Sequence, residues 1–378
     1  MSTPRDLPPV YIEFPNFGYG PASAALALVE PIIDSYSWHI VSTGGAAQFA
    51  QKHLPNAALH DIDSFHPENW VQFLRRAPRG SVVLSATNPH FAGWAARNGY
   101  RVGIIDTLDW MWEVPPPGVE DAEFHLVQRY FGFRPVVHGT NGIRQPIRPI
   151  VDAALWISAS GERRPGSALI GFGGMAVPGR DAGTADYVAW LLAAVLPVLV
   201  EHEGCSRVAV VGARADIAEL VPAPWSRHPA IEVHAGLDRA RYATLVRASE
   251  HLVLAPGLAS IHECAAAGLA PMIQPGFSMS MVLQASDLQA TGYPHIAAWP
   301  WAEEAVGKLA GMAEVEGLGY LADLIDTTVG TEDPDTCGIT HALRAYLDRS
   351  PTQRLELPET RDLPDGRTLL AEHLHALT

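Results

Sequence analysis

Short β-type apolar runs alternate with helix-length segments twice along this chain, and that alternation restricts the fold more than any other feature. In the first half, residues 10–14, 38–41, 58–62, 81–85 and 101–105 read as strands, with helices at 21–33, 44–53, 68–76 and 89–98 between them. Adjacent parallel strands need a crossover long enough for a helix, so this order predicts a parallel sheet with right-handed connections. The second half repeats the pattern, with strands at 168–172, 207–211, 231–234 and 251–254 and helices at 185–201, 239–249 and 281–290. With 378 residues and 48% hydrophobic side chains, the chain has material for two such domains of about 150 residues each. The expected class is α/β with two Rossmann-like domains. We expect one over 1–160, a second over 161–325 beginning at a Gly/Pro-rich linker (161–166), and a helical C-terminal segment over 326–378.

Ligands of parallel sheets sit beyond the carboxyl ends of the strands, so the residues there are the first to inspect. Residues 106–117, DTLDWMWEVPPP, break the alternation and leave a strand tip as a proline-rich loop. Asp106 and Asp109 are candidate proton acceptors in that loop, and Trp110 and Trp112 offer faces for a planar or sugar acceptor. Packing tryptophans and turn-forming aspartates explain the same residues equally well. Glu13 ends the first strand and is a third candidate acid or base. Gly18, Tyr19 and Gly20 follow it, where glycines allow close backbone approach to a ligand or make a tight turn. Residues 120–130 read as helix and 134–138 as a further strand.

The stretch 255–276, APGLASIHECAAAGLAPMIQPG, reads as a strand end, a small-residue turn, a helix opening at Ser260 and another strand. A helix N-terminus after a parallel strand presents free N–H groups and a positive dipole end, which suit phosphate. Glu263, one turn in, can take two ribose hydroxyls. Ser260 and Glu263 also match a capping box, which would give both a purely structural purpose. Gly171-Phe172-Gly173-Gly174-Met175-Ala176 fits the dinucleotide pattern G-x-G-x-x-A, but the acidic residue expected about 20 positions on is missing. Asp61-Ile62-Asp63 has the form of a D-x-D metal motif, yet Mg²⁺ sites need carboxylates beside substrate phosphates. These aspartates lie in the other half from the phosphate-type turn, and no metal is expected.

A net charge of −15 argues against general affinity for nucleic acid or anionic membranes. Three cysteines without a CxxC pair fit a reducing compartment. The first nine residues have no apolar leader core, so the expected location is the cytoplasm. The 16 histidines form no helical H-x-x-x-H zinc pair.

Gly257, Glu263, Gly268 and Pro275, with Ala265-Ala266-Ala267, resemble the donor-site signature of GT-B glycosyltransferases, in which two Rossmann-like domains with parallel sheets face a central cleft. The likeness is to the lipid II N-acetylglucosaminyltransferase group, of the family 28 type. It implies that Gly257, Leu258, Ala259 and Ser260 hold the diphosphate of a UDP-sugar, that Glu263 binds ribose, and that Gly173 and Gly174 approach the phosphates or the acceptor. It also implies an acceptor site at Gly18 to Gly20 and the 106–112 loop, a C-terminal helix crossing back to the first domain, and inversion without metal or other cofactor. Two departures appear: no histidine closes the Gly18–Gly20 loop, and Phe277-Ser278-Met279-Ser280-Met281 stands where polar sugar contacts are usual, leaving Gln284 and Asp287 as sugar contacts. The run ATNPHFAGWAARNGYRVGIIDTLDWMW resembles cytosylglucuronate synthases of nucleoside-antibiotic pathways, implying UDP-glucuronate and cytosine or hydroxymethylcytosine as substrates. A UDP-sugar epimerase of the same fold and a non-catalytic nucleotide-sugar binding protein are the alternatives.

Overall fold

The computed structural model describes residues 7–111, 116–132, 143–158, 162–178, 180–309, 312–335, 337–349 and 354–378. They divide into two compact units, one of Met1–Tyr130, Arg134–Val151 and Glu359–Thr378, the other of Phe131–Phe133 and Asp152–Pro358. Unit 1 begins with β1 (Pro9–Glu13), α1 (Gly20–Val29), β2 (Ser37–Ser42), α2 (Gly44–His53), β3 (Ala58–Asp61) and α3 (Trp70–Leu74). It continues with β4 (Val82–Ala86), α4 (Pro89–Arg97), β5 (Arg101–Asp106), β6 (Phe124–Gln128) and β7 (Arg144–Ile147). Unit 2 opens with α5 (Ala153–Ser158), β8 (Arg164–Gly171), α6 (Asp181–Pro197), β9 (Arg207–Gly212), β10 (Ile231–Ala235), α7 (Arg239–Ala248) and β11 (Ser249–Leu254). Then come α8 (Leu258–Ala266), β12 (Met272–Ile273), α9 (Met279–Ala290), α10 (Ala302–Leu309), α11 (Glu314–Thr331) and α12 (Ile339–Leu347). The last helix, α13 (Gly366–Leu377), belongs to unit 1.

Both sheets are parallel, with strand orders β3-β2-β1-β4-β5-β6-β7 and β10-β9-β8-β11-β12. In unit 1 the chain winds outward from β1 to β3 and then returns to β4 on the other side of β1. The equivalent reversal in unit 2 lies between β8 and β11. These are the topological switch points, where α/β sheets open a crevice for ligands.

Alternation along the central strands feeds two cores in unit 1. Val10 and Ile12 face one that also contains Leu26, Leu28, Phe49, Leu370 and Leu374, so α1, α2 and α13 cover that side. Tyr11 faces the other, with Phe73, Phe91, Val102 and Ile104. In unit 2, the segment Gly183–His202 is the one helix among the described residues long and apolar enough to cross a membrane, and 56% of its 18-residue apolar stretch is buried in the fold.

Three local expectations change. Residues 120–130 contain β6, because Phe124–Gln128 pairs with β5 in register Gly103↔Phe124 to Asp106↔Val127. β7 forms inside the polar, proline-containing stretch and takes the sheet edge, the position where a proline costs no ladder bond to a further strand. The expected strand at 134–138 lies outside the described residues. β8 begins at Arg164, within the segment that reads as a linker, and its pairing with β11 shifts register between Ser249 and His251, a bulge that accommodates Pro165 and Gly166.

Gly103 is required by its neighbour: a Cβ there would overlap the ring of Phe124, which stacks on His373 of α13 at 4.4 Å. Gly103→Ala is expected to lower stability by about 1–3 kcal/mol in urea unfolding, with part of the loss recovered when Phe124→Leu is added.

Candidate active site

At the switch point of unit 1, Glu13 ends β1 with its side chain 0% exposed. Ser85 of β4 donates to one carboxylate oxygen at 2.5 Å, and the Asn88 amide donates to the other at 2.9 Å. Asn88 also caps α4, accepting from the Phe91 N–H, and donates to the Ser64 carbonyl. Burial pushes the Glu13 carboxyl up to about 7, with the hydrogen bonds opposing part of that rise. Between Ser85 and Asn88 the backbone is strained, since Thr87 has φ +58°, a left-handed conformation that β-branched residues rarely adopt. Its hydroxyl lies 3.0 Å from that of Thr107, which links the β4 tip to the β5 tip.

At the β5 tip Asp106 is 1% exposed. One oxygen accepts from the Leu108 N–H at 2.8 Å, and the other lies 3.3 Å from His125 Nε2. The Arg144 guanidinium of β7 is ion-paired with Asp109, which keeps 15% side-chain exposure. Asp106, Asp109 and His125 each offer a ligand atom within 4.8 Å of the others, a spacing a cation can use. Arg144 already places positive charge on Asp109, so its guanidinium meets part of the demand a divalent ion would meet. Of the D-x-D pair, Asp63 accepts from the Phe65 N–H and lies 3.7 Å from His66.

Trp110 is buried, stacks on Tyr130 with centroids 4.0 Å apart, and donates to the Thr107 carbonyl. Trp112 lies outside the described residues. Gly18 has φ +65°, the conformation that favours glycine. Tyr19 stacks on Phe49, and Gly20 starts α1 with Pro21 behind it.

In unit 2 the helix after β11 starts two residues earlier than expected. Gly257 is the N-cap of α8, without a side-chain capping bond, and Ile261 N–H is the first to bond back, to the Gly257 carbonyl. The capping-box reading of Ser260 and Glu263 therefore fails, since Ser260 is the third helical residue. Leu258, Ala259 and Ser260 instead form the first turn, whose N–H groups have no acceptor within the helix. Ser260 stands beside the Tyr242 hydroxyl of α7, whose pKa is raised by burial. Glu263 keeps partial exposure, and burial of its carboxyl raises it to about 7, opposed by Arg239 and the Trp156 indole. The buried face of α8 comprises Leu258, Ile261, His262 and Cys264. His262 packs edge-on against Phe131, and burial lowers its pKa to about 4.

Gly173, with φ +65° and open space where a Cβ would stand, and Gly174 form the turn after β8. Gln284 lies on α9, 2% exposed. The structure thus places Glu13 at the tip of β1 and Asp106 and Asp109 at and just beyond the tip of β5, the strands on either side of β4 in unit 1, and Gly257 to Ser260 with Glu263 at the start of one helix of unit 2. Sequence reading missed Ser85, Asn88, His125 and Arg144 in unit 1, and Trp156, Tyr242, Thr184 and Gln274 in unit 2. Gln274 did carry a signal, as a polar residue directly after the apolar pair Met272-Ile273 of a buried strand.

No protein-family model matches the chain, and no curated protein matches it in sequence. Among solved structures it is similar to an S. aureus MnaA–UDP co-structure, with a TM-score of 0.61 and 10% identity over 98% of this chain and 96% of that one. It is also similar to Methanocaldococcus jannaschii UDP-GlcNAc 2-epimerase in complex with UDP-GlcNAc and UDP, with a TM-score of 0.56 and 8% identity over 98% and 100% of the two chains. At such identities the likeness is one of fold, and that fold is two Rossmann-like units with parallel sheets, the GT-B class.

A carboxyl whose pKa is raised on folding keeps its proton in the native chain where the unfolded chain has lost it. Its contribution to stability is full below the ordinary value of 4.5 and disappears as pH rises through about 7. Glu13→Gln, which keeps a donor and an acceptor for Ser85 and Asn88, is expected to remove this dependence. Denaturation from pH 4 to pH 8 should show the variant gaining about 3 kcal/mol on the wild type across that window.

Proposed function

We propose that this chain is a UDP-sugar-dependent glycosyltransferase of the cytoplasm that acts on a small soluble acceptor and needs no metal or other cofactor. The observation that carries the reading is the first turn of α8, beyond the strand end at the unit 2 switch point, with Glu263 one turn further on. Diphosphate charge is stabilised by the N–H groups of Leu258, Ala259 and Ser260 and by the helix dipole. Glu263 then takes the ribose hydroxyls, and Gly173 and Gly174 let the backbone approach the phosphates. UDP as the nucleotide is supported by the uridine ligands of the two similar structures.

The acceptor is assigned to unit 1, at Gly18 to Gly20 and at Trp110 and Trp112. A displacement at the anomeric carbon needs a base of near-neutral pKa for the acceptor proton. Asp109, Asp106 and Glu13 are the candidates: Asp109 has the most open surface, and Glu13 has the near-neutral carboxyl. An in-line attack with inversion is the proposed course. The resemblance of residues 86–112 to cytosylglucuronate synthases favours UDP-glucuronate as donor and cytosine or hydroxymethylcytosine as acceptor, in nucleoside-antibiotic biosynthesis.

A second reading, a UDP-sugar epimerase, is favoured by the likeness to the Methanocaldococcus jannaschii enzyme. Conversion of a UDP-sugar without any acceptor separates it from transfer, and UDP binding with no turnover over an acceptor panel indicates a binding protein. Thermal-shift titration with UDP, UDP-glucose and UDP-glucuronate tests the shared premise. Stabilisation by uridine diphosphates is expected, with Glu263→Gln weakening UDP about 10-fold while the unliganded midpoint stays level or rises. No response to any uridine compound overturns the assignment.

A further inference from the structure

Among the described residues of unit 2, three buried side chains carry oxygens without a hydrogen-bond partner: Oε1 of Gln274, Oε1 of Gln284 and Oγ1 of Thr184. They are 0%, 2% and 1% exposed, respectively. Buried polar atoms are matched in the great majority of native sites, so three unmatched ones on adjoining elements point to a group that supplies donors. Gln274 is the most constrained. Its Nε2 donates to the Gly171 carbonyl at 3.2 Å, an acceptor only, so the amide cannot be turned around and Oε1 is the unmatched end. Its backbone N–H donates to the Leu254 carbonyl at 2.9 Å. Gly171 and Leu254 are the last residues of β8 and β11, the two strands flanking the switch point, so Gln274 is fastened across that point.

The other two oxygens belong to helices that meet the next two residues. Thr184 is in the first turn of α6, and Tyr187, one residue short of a full turn beyond it, donates to the Pro275 carbonyl at 2.6 Å. A Cβ on Gly276 would stand 2.7 Å from the Met281 backbone, in the first turn of α9, and Gln284 lies three residues further along the same helix. The Pro275–Gly276 turn is therefore where the elements bearing all three oxygens come together.

We propose that Gln274 and Thr184, with Gln284, form a subsite that reads the hydroxyls of the sugar ring of a nucleotide sugar, and that Gln274 and Thr184 determine which sugar is accepted. This rests on the nucleotide-sugar reading above and adds β12 and α6 to a sugar site that the sequence places on α9 alone. The chemistry selects the ligand class. An amide oxygen accepts only, so its partner must donate; a sugar hydroxyl does, whereas an ionised phosphate or carboxylate does not. Arg180, the N-cap of α6, is ion-paired with Asp326 of α11 through its terminal nitrogen, and its buried Nε is an unmatched donor, which a hydroxyl oxygen can satisfy as an acceptor.

The test compares UDP with UDP-glucose, UDP-glucuronate and UDP-N-acetylglucosamine by calorimetric titration of the full chain and of two near-isosteric variants, Thr184→Val and Gln274→Met. Thr184→Val removes a hydroxyl that makes no bond in the fold, so its unliganded melting temperature should be unchanged or raised. The expected result is UDP affinity within about twofold of wild type in both variants, with at least one UDP-sugar weakened about 10-fold or more. Wild-type affinities for all three UDP-sugars in both variants overturn the subsite and leave the nucleotide assignment standing. Failure of the wild-type chain to bind UDP overturns both. If Gln274→Met does not fold, Thr184→Val alone decides by the same criterion.

Discussion

The reversal of strand order in a parallel sheet is the constraint from which the rest of this structure follows. At each reversal two adjacent strands send their chains to opposite faces, and their carboxyl ends are left facing a crevice. In unit 1 these are β1 and β4, and in unit 2 β8 and β11. Both sheets are clad by helices, so a polar side chain at such an end is withdrawn from water and must be matched by protein or by ligand. The two units answer this demand differently. Unit 1 surrounds a carboxyl with donors from the neighbouring strand and the loop after it, whereas unit 2 fastens one end of an amide and leaves the other oxygen unmatched.

The Glu13 cluster shows how such a polar centre is held. Ser85 has a second acceptor, the Asn88 carbonyl at 3.1 Å, so its proton has somewhere to go when Glu13 is itself protonated. That makes the cluster compatible with either state of a carboxyl whose burial raises it to about 7. The geometry requires the chain between Ser85 and Asn88 to be short and bent, and the positive φ of Thr87 is the local cost. The Thr87–Thr107 hydroxyl contact ties this turn to the next strand tip, where Asp106 and His125 lie side by side. Strain that persists at a strand tip is a mark of a site whose shape is set by its surroundings.

Much of the fold was legible because the central strands of both sheets are buried on two faces and appear as mostly apolar runs, such as Val82–Ala86 and Arg207–Gly212. β6 and β7 were not. Phe124–Gln128 is flanked by no Gly or Pro to mark its ends as a strand, and β7 contains Pro146, so each gains its identity from a neighbour already in place. The start of α8 was misjudged by two residues for a similar reason. Small residues and Ser260 fit several registers of a helix start, and the backbone resolved the choice by capping at Gly257.

The sequence by itself determined the α/β class, the strand ends at which Glu13 and Asp106 fall, with Asp109 in the loop beyond, and the presence of a short helix carrying Glu263 after β11. These are properties of local pattern and of which residue follows a strand. Only the tertiary structure decided that Glu13 meets Ser85 and Asn88, 72 and 75 positions away, that Asp109 meets Arg144, and that Gln274 spans the ends of β8 and β11. The physical reason is strand order. Which strands become neighbours is set by how the whole chain winds around its sheet, so partnerships across a switch point have no counterpart in sequence spacing.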